Sequence, residues 1–238
     1  MEERKLLTGK PVSPGIAVAE VYYYEPLMLS TETGYFKAGK ETEYWRAFKE
    51  ALEKAKQELQ ELQAKVASDD EMAAGIFGAH LTILKDEDLL YEIKSAILND
   101  RMCPELAIEA CMGEMITSIG NIKDPMAEKY IADIYDVKHR LLSSYLKKVD
   151  TGLLHLSKDV IVVAKDLMPS DVATIDRSHV KGIITESEGT NTHTAVMARS
   201  YGIPMITGVA EVRKLLPNGN LIEMDGVAGT IRIEAVTE

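Results

Sequence analysis

The spacing of apolar residues changes twice along the chain, and each change marks a different predicted secondary structure. Residues 1–30 hold β-branched and aromatic types around a Pro- and Gly-containing turn at 11–15, which predicts two short strands, the second ending before Pro26. From about residue 36 to 148 the apolar residues recur with a helical period. After residue 152 short apolar runs return between Gly, Pro, Asn and Asp, which predicts buried strands alternating with helices.

The clearest predicted element is the first helix of the central block. Its apolar residues are spaced alternately three and four apart, and this 3.5-residue period predicts one buried face: Trp45, Phe48, Leu52, Ala55, Leu59, Leu62 and Val66. Shorter helices are predicted at about 71–84, 86–98 and 104–119. A last helix, with Asp124 as N-cap and Pro125 at its first position, repeats the seam at Tyr130, Ile134, Val137, Leu141 and Tyr145. The block therefore predicts a helical bundle.

The last third of the sequence predicts a layered α/β structure. Five apolar runs are candidate strands: 160–164, 182–185, 204–207, 221–224 and 230–233. The strands within 1–30 have no core of their own, so we expect them to join this sheet. The predicted fold class is thus α/β, with an α/β domain of residues 1–30 plus 148–238 and an inserted all-α helical bundle of residues 31–147.

Composition and charge exclude several classes of function. The net charge is −11, from 27 basic and 38 acidic residues, which disfavours nucleic acid as a partner. No apolar run approaches the roughly 18 residues of a membrane span, and the charged N-terminus predicts no secretory signal. Cys103 and Cys111 form no CxxC pair, and the other histidines show no metal-ligand spacing, so we predict no metal site and a reducing, cytoplasmic location.

Candidate chemistry is concentrated in residues 182–208, whose pattern predicts strand, polar loop, short helix, turn and strand. Thr192 is a good N-cap, which makes His193 the first helical residue. Gly202 stands where a left-handed C-terminal residue is wanted, and Pro204 prevents the helix from continuing. The distance between the two strands suits a parallel crossover.

An imidazole at a helix N-terminus has a specific chemical consequence. The first backbone N–H groups and the positive end of the helix dipole form an anion site beside the ring. The same field disfavours imidazolium and leaves a ring nitrogen available as a nucleophile. His193 is therefore the candidate phosphoryl carrier, although a single histidine before an apolar helix is more often structural.

Neighbouring residues are the candidates for supporting the phosphate. They are small or hydrogen-bonding types at the start of the predicted helix: Gly189, Thr190, Asn191, Thr192 and Thr194. Arg199 is a further candidate. It lies about 240° around the helix from His193, which favours a salt bridge at the helix end over a direct phosphate contact.

This stretch resembles the phosphohistidine signature of the PEP-utilising enzymes. The residues that fall on the signature keep its spacing: Gly189, Thr192, His193, Ala195, Val196, Ala198, Arg199, Pro204, Ile206 and Gly208. Glu188 and Asn191 depart from it. A carboxylate at Glu188 would be unfavourable beside a phosphate if it pointed inward.

Nearly the whole chain is similar to the N-terminal half of Enzyme I, the PEP-protein phosphotransferase of the bacterial sugar phosphotransferase system. The similarity lies in residues 9–17, 77–93, 124–142 and 224–233. It implies a swivelling phosphohistidine domain that accepts phosphate originating from PEP and exchanges it reversibly with a histidine-containing phosphocarrier protein. The C-terminal PEP-binding barrel of that family is missing from this sequence. We therefore expect the fragment to be a monomer that neither uses PEP nor needs magnesium or another cofactor.

The resemblance also places the phosphocarrier on the short helices of the bundle. The matching positions are Glu71, Gly75, His80, Ile83, Asp86, Glu87 and Asp88. Residues 31–150 hold 23 acidic and 16 basic side chains, which suits a basic partner, although acidic clusters are more often solvated faces. One departure concerns the turn before the site: Val172 stands where the family has a Thr whose hydroxyl orients the imidazole, and Thr174 or a backbone carbonyl could substitute.

Other functions remain open from the sequence. The swivelling domain of PEP synthase or pyruvate phosphate dikinase is a second enzyme reading, disfavoured by the helical insert of about 115 residues. An Enzyme I-like part of the multiphosphoryl subunit of dihydroxyacetone kinase would share the docking chemistry. A non-catalytic carrier-binding protein is the alternative from another class, and Val172 and Glu188 are the residues that favour it.

Overall fold

The computed structural model describes residues 6–26, 29, 34–68, 70–148, 153–188 and 192–233. Its contacts divide the chain into two compact units, one formed by Met1–Pro26 with Asp150–Glu238 and the other by Leu27–Val149. These bounds differ from the domain bounds expected from the sequence by four residues at the first boundary and by two at the second.

The described residues form eight strands and eight helices. The strands are β1 (Leu6–Thr8), β2 (Lys10–Ser13), β3 (Ile16–Tyr23), β4 (Val160–Ala164), β5 (Val180–Thr185), β6 (Met205–Thr207), β7 (Leu221–Asp225) and β8 (Thr230–Ile233). The helices are α1 (Glu41–Ala67), α2 (Glu71–Ile83), α3 (Glu87–Leu98), α4 (Pro104–Gly120), α5 (Pro125–Leu146), α6 (Pro169–Thr174), α7 (His193–Ser200) and α8 (Val212–Leu215). The α/β class with a helical part is as predicted.

All eight strands belong to one sheet of the α/β unit, in the order β1-β8-β7-β3-β4-β5-β6-β2. Strands β3 to β6 run parallel, which confirms the predicted crossover between β5 and β6, and the remaining pairs are antiparallel. Two N-terminal strands were expected where the structure has three. The reason is Gly9, which interrupts the extended segment between β1 and β2. These two strands stand at opposite ends of the strand order, so the chain connects the two ends directly at Gly9.

Gly9 shows why the sheet closes at this point. Its N–H donates to the carbonyl of Gly229 at 2.9 Å. A Cβ added to Gly9 would lie 2.5 Å from the Ile206 side chain and 2.7 Å from the Thr207 carbonyl. Only a residue without a side chain allows the edges of the sheet to approach so closely.

One hydrophobic cluster of the α/β unit lies on one face of this sheet. Alternate residues of β3, Ala17, Ala19 and Val21, point into it, while Ile16 and Val18 are exposed. Helix α8 contributes Val212 to the same cluster. Strand β4 is buried throughout its length, as its unbroken apolar run predicts.

The helical unit is built around α1. Helix α1 packs against α2 and α5, and α4 packs against α3 and α5. Six of the seven predicted seam residues of α1 are buried, but Trp45 is half-buried, with the amino groups of Lys49 and Lys94 each 5.9 Å from its ring centre. The seam of α5 is buried at its centre but not at its ends, where Tyr130 is exposed and Tyr145 is half-buried.

Within the part of the chain that the structure describes, no helix combines the length and the apolar character needed to span a membrane.

Candidate functional site

His193 lies where the carboxyl end of a parallel strand leads into a helix. Strand β5 ends at Thr185, and α7 begins at His193, whose side chain is half-buried. The Thr192 hydroxyl accepts a hydrogen bond from the N–H of Ala195 at 3.2 Å, which confirms the predicted N-cap and helix start. Loops at the carboxyl ends of parallel strands are the usual place for ligand binding in such sheets.

The far end of α7 also follows the prediction. Gly202 has φ +66°, the left-handed conformation expected of it, and its N–H donates to the Arg199 carbonyl at 3.1 Å. Along the helix Ala195, Met197 and Ala198 are completely buried. Their packing fixes the direction of α7 and leaves its N-terminus at the carboxyl end of β5.

This geometry supports anion binding at His193. An α-helix leaves its first N–H groups without intrahelical acceptors, and these groups carry the positive end of the helix dipole. Thr192 satisfies one of these groups by capping Ala195. The predicted support residues Gly189, Thr190 and Asn191 lie outside the described residues.

The Thr194 side chain turns away from this anion site. It is 4% exposed, and its hydroxyl donates to the carbonyl of Leu167 at 2.8 Å. The hydroxyl therefore does not serve as the predicted phosphate contact, because it is inside the protein. Only the backbone N–H of Thr194 remains on the side of the helix N-terminus.

Two charged residues beside the site have partners that the sequence did not predict. Arg199 donates from Nε to the backbone carbonyl of Val12 at 2.7 Å, which ties the last turn of α7 to β2. Glu188 forms an ion pair with Lys10, also on β2. The carboxylate of Glu188 is thus next to a positive charge, which reduces its repulsion of a phosphate.

The residues expected to orient the ring are occupied elsewhere or lack the necessary group. Val172 is completely buried and has no polar side-chain atom. The Thr174 hydroxyl donates within its own helix, to the carbonyls of Ser170 at 3.1 Å and Asp171 at 3.0 Å.

A cluster around Arg213 was missed by the sequence reasoning. Arg213 forms ion pairs with Glu25, two residues after β3, and with Glu186, at 3.7 Å, directly after β5. The Tyr23 hydroxyl donates to the carbonyls of Arg213 and Leu216. The pKa of Tyr23 is raised overall. Burial has the largest effect, Arg213 opposes it and Glu186 adds to it, so the phenol stays protonated and can donate. Glu25 and Tyr23 lie about 190 positions before their partners, so these contacts leave no local signal in the sequence.

The predicted carrier-binding residues divide into exposed and buried groups. Glu71, Gly75, Glu87 and Asp88 are exposed. Asp86 is the N-cap of α3 and accepts from the N–H of Leu89 at 2.8 Å.

The prediction is wrong for His80 and Ile83 as contact residues. Both are buried, with exposures of 0% and 2%, because they lie on the face of α2 that packs into the bundle. His80 Nε2 is 3.1 Å from Asp133 Oδ1 on α5, and the ring meets Phe77 edge to face. His80 Nδ1 has no hydrogen-bond partner among the described residues.

Metal and thiol chemistry find no support in the described part of the chain. There, no group of three or more His, Cys, Asp or Glu side chains could hold a metal ion. Burial, with Glu92 and Glu114 nearby, raises the pKa of the Cys111 thiol to about 11, so it stays protonated. Cys103 is half-buried, and neither Cys103 nor Cys111 forms a disulfide.

Comparison with protein families gives two matches that together cover most of the chain. Residues 8–129 match the family described as PEP-utilising enzyme, N-terminal. Residues 156–229 match the family described as PEP-utilising enzyme, mobile domain.

Similar curated proteins are named phosphoenolpyruvate-protein phosphotransferase. Those of Bacillus sp. (strain S) and Listeria monocytogenes are each 34% identical, over 235 and 238 residues and 98% of this chain. That of Bacillus subtilis is 33% identical over 233 residues. The chain spans about two fifths of the length of these relatives, 40%, 41% and 40% respectively.

Solved structures share the fold. An NMR solution structure of Enzyme I (nEIt) has a TM-score of 0.78 and 28% identity, covering 96% of this chain and 92% of that one. The N-terminal domain of Enzyme 1 - Nitrogen has a TM-score of 0.64 at 20% identity, covering 95% and 93%. The second likeness supports the fold alone.

Proposed function

The chain belongs to the family of PEP-utilising enzymes, and from this premise we propose that it is a phosphoryl carrier that holds phosphate on His193. It exchanges that phosphate reversibly with a histidine-containing phosphocarrier protein. The observation that carries the proposal is the position of His193, half-buried at the first residue of α7, directly after the Thr192 N-cap. A phosphoryl group on this ring would meet the N–H groups and the positive dipole of the helix start.

The transfer step requires only the two imidazoles. A lone pair on one ring nitrogen of His193 attacks the phosphorus, and a new P–N bond forms. The P–N bond to the carrier's imidazole breaks, and its electron pair returns to that ring. Each ring keeps the proton on its other nitrogen, so the exchange needs neither water nor a redox partner, and it runs equally in reverse.

Phosphate enters from PEP, in this proposal, through the part of the longer relatives that this chain does not cover. The relatives' name, phosphoenolpyruvate-protein phosphotransferase, states PEP as the phosphate donor. We assign any magnesium requirement to that same step. Exchange with the carrier should therefore proceed in the presence of a metal chelator.

The exposed members of the predicted carrier-binding set are the proposed docking surface, which we define as Glu71, Gly75, Glu87 and Asp88. Glu71, Glu87 and Asp88 lie in the first turns of α2 and α3, where the carboxylates also stabilise the helix dipoles. A basic patch on the phosphocarrier would match them in charge. A carrier of this kind acts in the cytoplasm, and the location of this chain is proposed on that ground.

The proposal is tested by mixing the protein with carrier phosphorylated in advance. Acid-labile phosphate should appear on the protein, and His193→Ala should abolish it, because the attacking nitrogen is lost. His179→Ala is the matched control. His179 lies in the same unit but contacts Asp159 at 3.2 Å, and we expect its variant to be labelled normally.

Two outcomes would contradict the proposal. Label that persists in His193→Ala would mean that another residue carries the phosphate. Carrier binding without any label on the wild-type protein would mean that the protein binds the carrier but does not transfer phosphate.

A further inference from the structure

Thr194 differs from other helical threonines of this chain in where its hydroxyl donates. The hydroxyls of Thr82, Thr117 and Thr174 donate to carbonyls four residues earlier in their own helices, at 2.8–3.1 Å. The Thr194 hydroxyl donates instead to the carbonyl of Leu167, 27 positions earlier, at 2.8 Å. Because Thr194 is the second residue of α7, the position four residues before it lies outside the helix.

The segment 165–168 receives hydrogen bonds from both sides of the loop that leads to His193. Before the loop, Ser187 donates to the Lys165 carbonyl through its N–H at 2.9 Å and its hydroxyl at 2.8 Å. After the loop, Thr194 donates to Leu167. Ser187 and Thr194 are therefore both attached to one short segment.

That segment is itself held by the rest of the unit. Leu167 is buried. The N–H of Met168 donates to one oxygen of Asp171 at 2.8 Å, and the Tyr24 hydroxyl donates to the other at 2.9 Å. The bond from Thr194 to Leu167 thus connects the start of α7 to a segment that is held by Asp171 of α6 and, through Asp171, by Tyr24.

We propose that Thr194 is a positioning residue for His193, an inference that rests on the proposed function. A β-branched side chain has few χ1 rotamers in a helix, so fixing its hydroxyl also fixes the rotation of the first turn of α7. His193 is the adjacent residue of that turn. The bond between Thr194 and Leu167 therefore sets the direction in which the imidazole meets phosphorus, where misplacement by about 1 Å can cost a hundredfold in rate.

The test compares Thr194→Val with Thr194→Ser in phosphoryl exchange with the phosphorylated carrier. Val keeps the shape but has no hydroxyl, and we expect the maximal exchange rate to fall about 10- to 100-fold. The carrier concentration at half-maximal rate should stay within about twofold of wild type, since docking is unaffected. Ser keeps the hydroxyl and should restore most of the rate.

Two further measurements separate positioning from folding. Thr117→Val removes a helical hydroxyl whose bond is also 2.8 Å, but in α4 of the other unit, and should leave exchange unchanged. Nitrogen NMR of labelled imidazoles should show a changed tautomer ratio for His193 in Thr194→Val and not in Thr194→Ser. If the Val variant does not fold, Thr194→Ala against Thr194→Ser provides the same comparison.

The outcomes distinguish this inference from the proposed function. An unlabelled wild-type protein would contradict the proposed function and the inference with it. A labelled wild type with an undiminished rate in Thr194→Val, or an equal loss in Thr194→Ser, would overturn the positioning role alone. An unchanged rate but a raised half-maximal carrier concentration would also overturn it.

Discussion

His193 and His80 show how position in a helix decides what a histidine does. His193 is the first residue of α7, half-buried, beside the N–H groups of a helix start. His80 lies ten residues into α2. It is completely buried, and its ring contacts Asp133 on α5.

The contrast shows that sequence similarity alone does not distinguish a histidine with a chemical role from one that packs in the core. Both histidines fall on positions that the resemblance associates with function. The surroundings then give one ring access to an incoming group and give the other a neighbour across the bundle. Three sets of variants test how far the position of a residue decides its role.

The largest expected effect follows from removing the buried ring. His80→Ala leaves the Asp133 carboxylate buried without this partner, and we expect the free energy of unfolding of the helical unit to fall by about 3 kcal/mol. Trp45, the only tryptophan, lies in α1, so its fluorescence in urea reports on this unit.

Two variants complete that experiment. His80→Gln can still donate to Asp133 and should lose less stability. His193→Ala should change the stability by no more than about 0.5 kcal/mol while abolishing the label. A fully stable His80→Ala would contradict the structural role that the comparison assigns to His80.

A smaller effect is expected at the docking surface. Removing two of its charges with Glu87→Gln and Asp88→Asn should slow association with the carrier about three- to tenfold at low ionic strength. The difference should shrink as salt is added, because exposed charges are screened. Glu114→Gln, at an exposed residue of α4, is the control; equal slowing there would indicate a general effect of net charge.

The smallest effect is expected for Gly→Ala placed in two backbone conformations, left-handed at Gly202 and helical at Gly113. Gly202→Ala should destabilise the α/β unit by about 1 kcal/mol, because φ is +66° there. Gly113→Ala, inside α4, should stabilise the helical unit by about 0.5–1 kcal/mol. Nothing lies within 4 Å of the added Cβ at either position, so calorimetry would measure backbone preference alone. A change in stability of the same sign at both positions would contradict this prediction.

Much of the fold could be predicted because its signals are local. The bounds of β4 and β8, the start of α4 at Pro104, the start of α5 at Pro125 and the cap at Thr192 all depend on residues within one turn or strand. The third N-terminal strand could not be predicted. It depends on Gly9 meeting Gly229 and Thr207, which are more than 190 positions away.

The candidate site divides in the same way. The position of His193 at a helix start follows from Thr192 and the apolar residues behind it. The role of the Thr194 hydroxyl does not, since its acceptor is a carbonyl on another segment. The pairing of Glu188 with Lys10 is likewise decided by the neighbouring strand β2.

Periodicity, capping and motif spacing act over a few residues. They were therefore enough to predict most of the helices and strands, the capped helix that begins at His193, and the family resemblance. The burial of His80 and Ile83, the bond from Thr194 to Leu167, and the pairing of Arg213 with Glu25 and Glu186 are known only from the folded structure. Burial and long-range hydrogen bonds depend on which segments meet in space, and meeting requires the whole core to assemble.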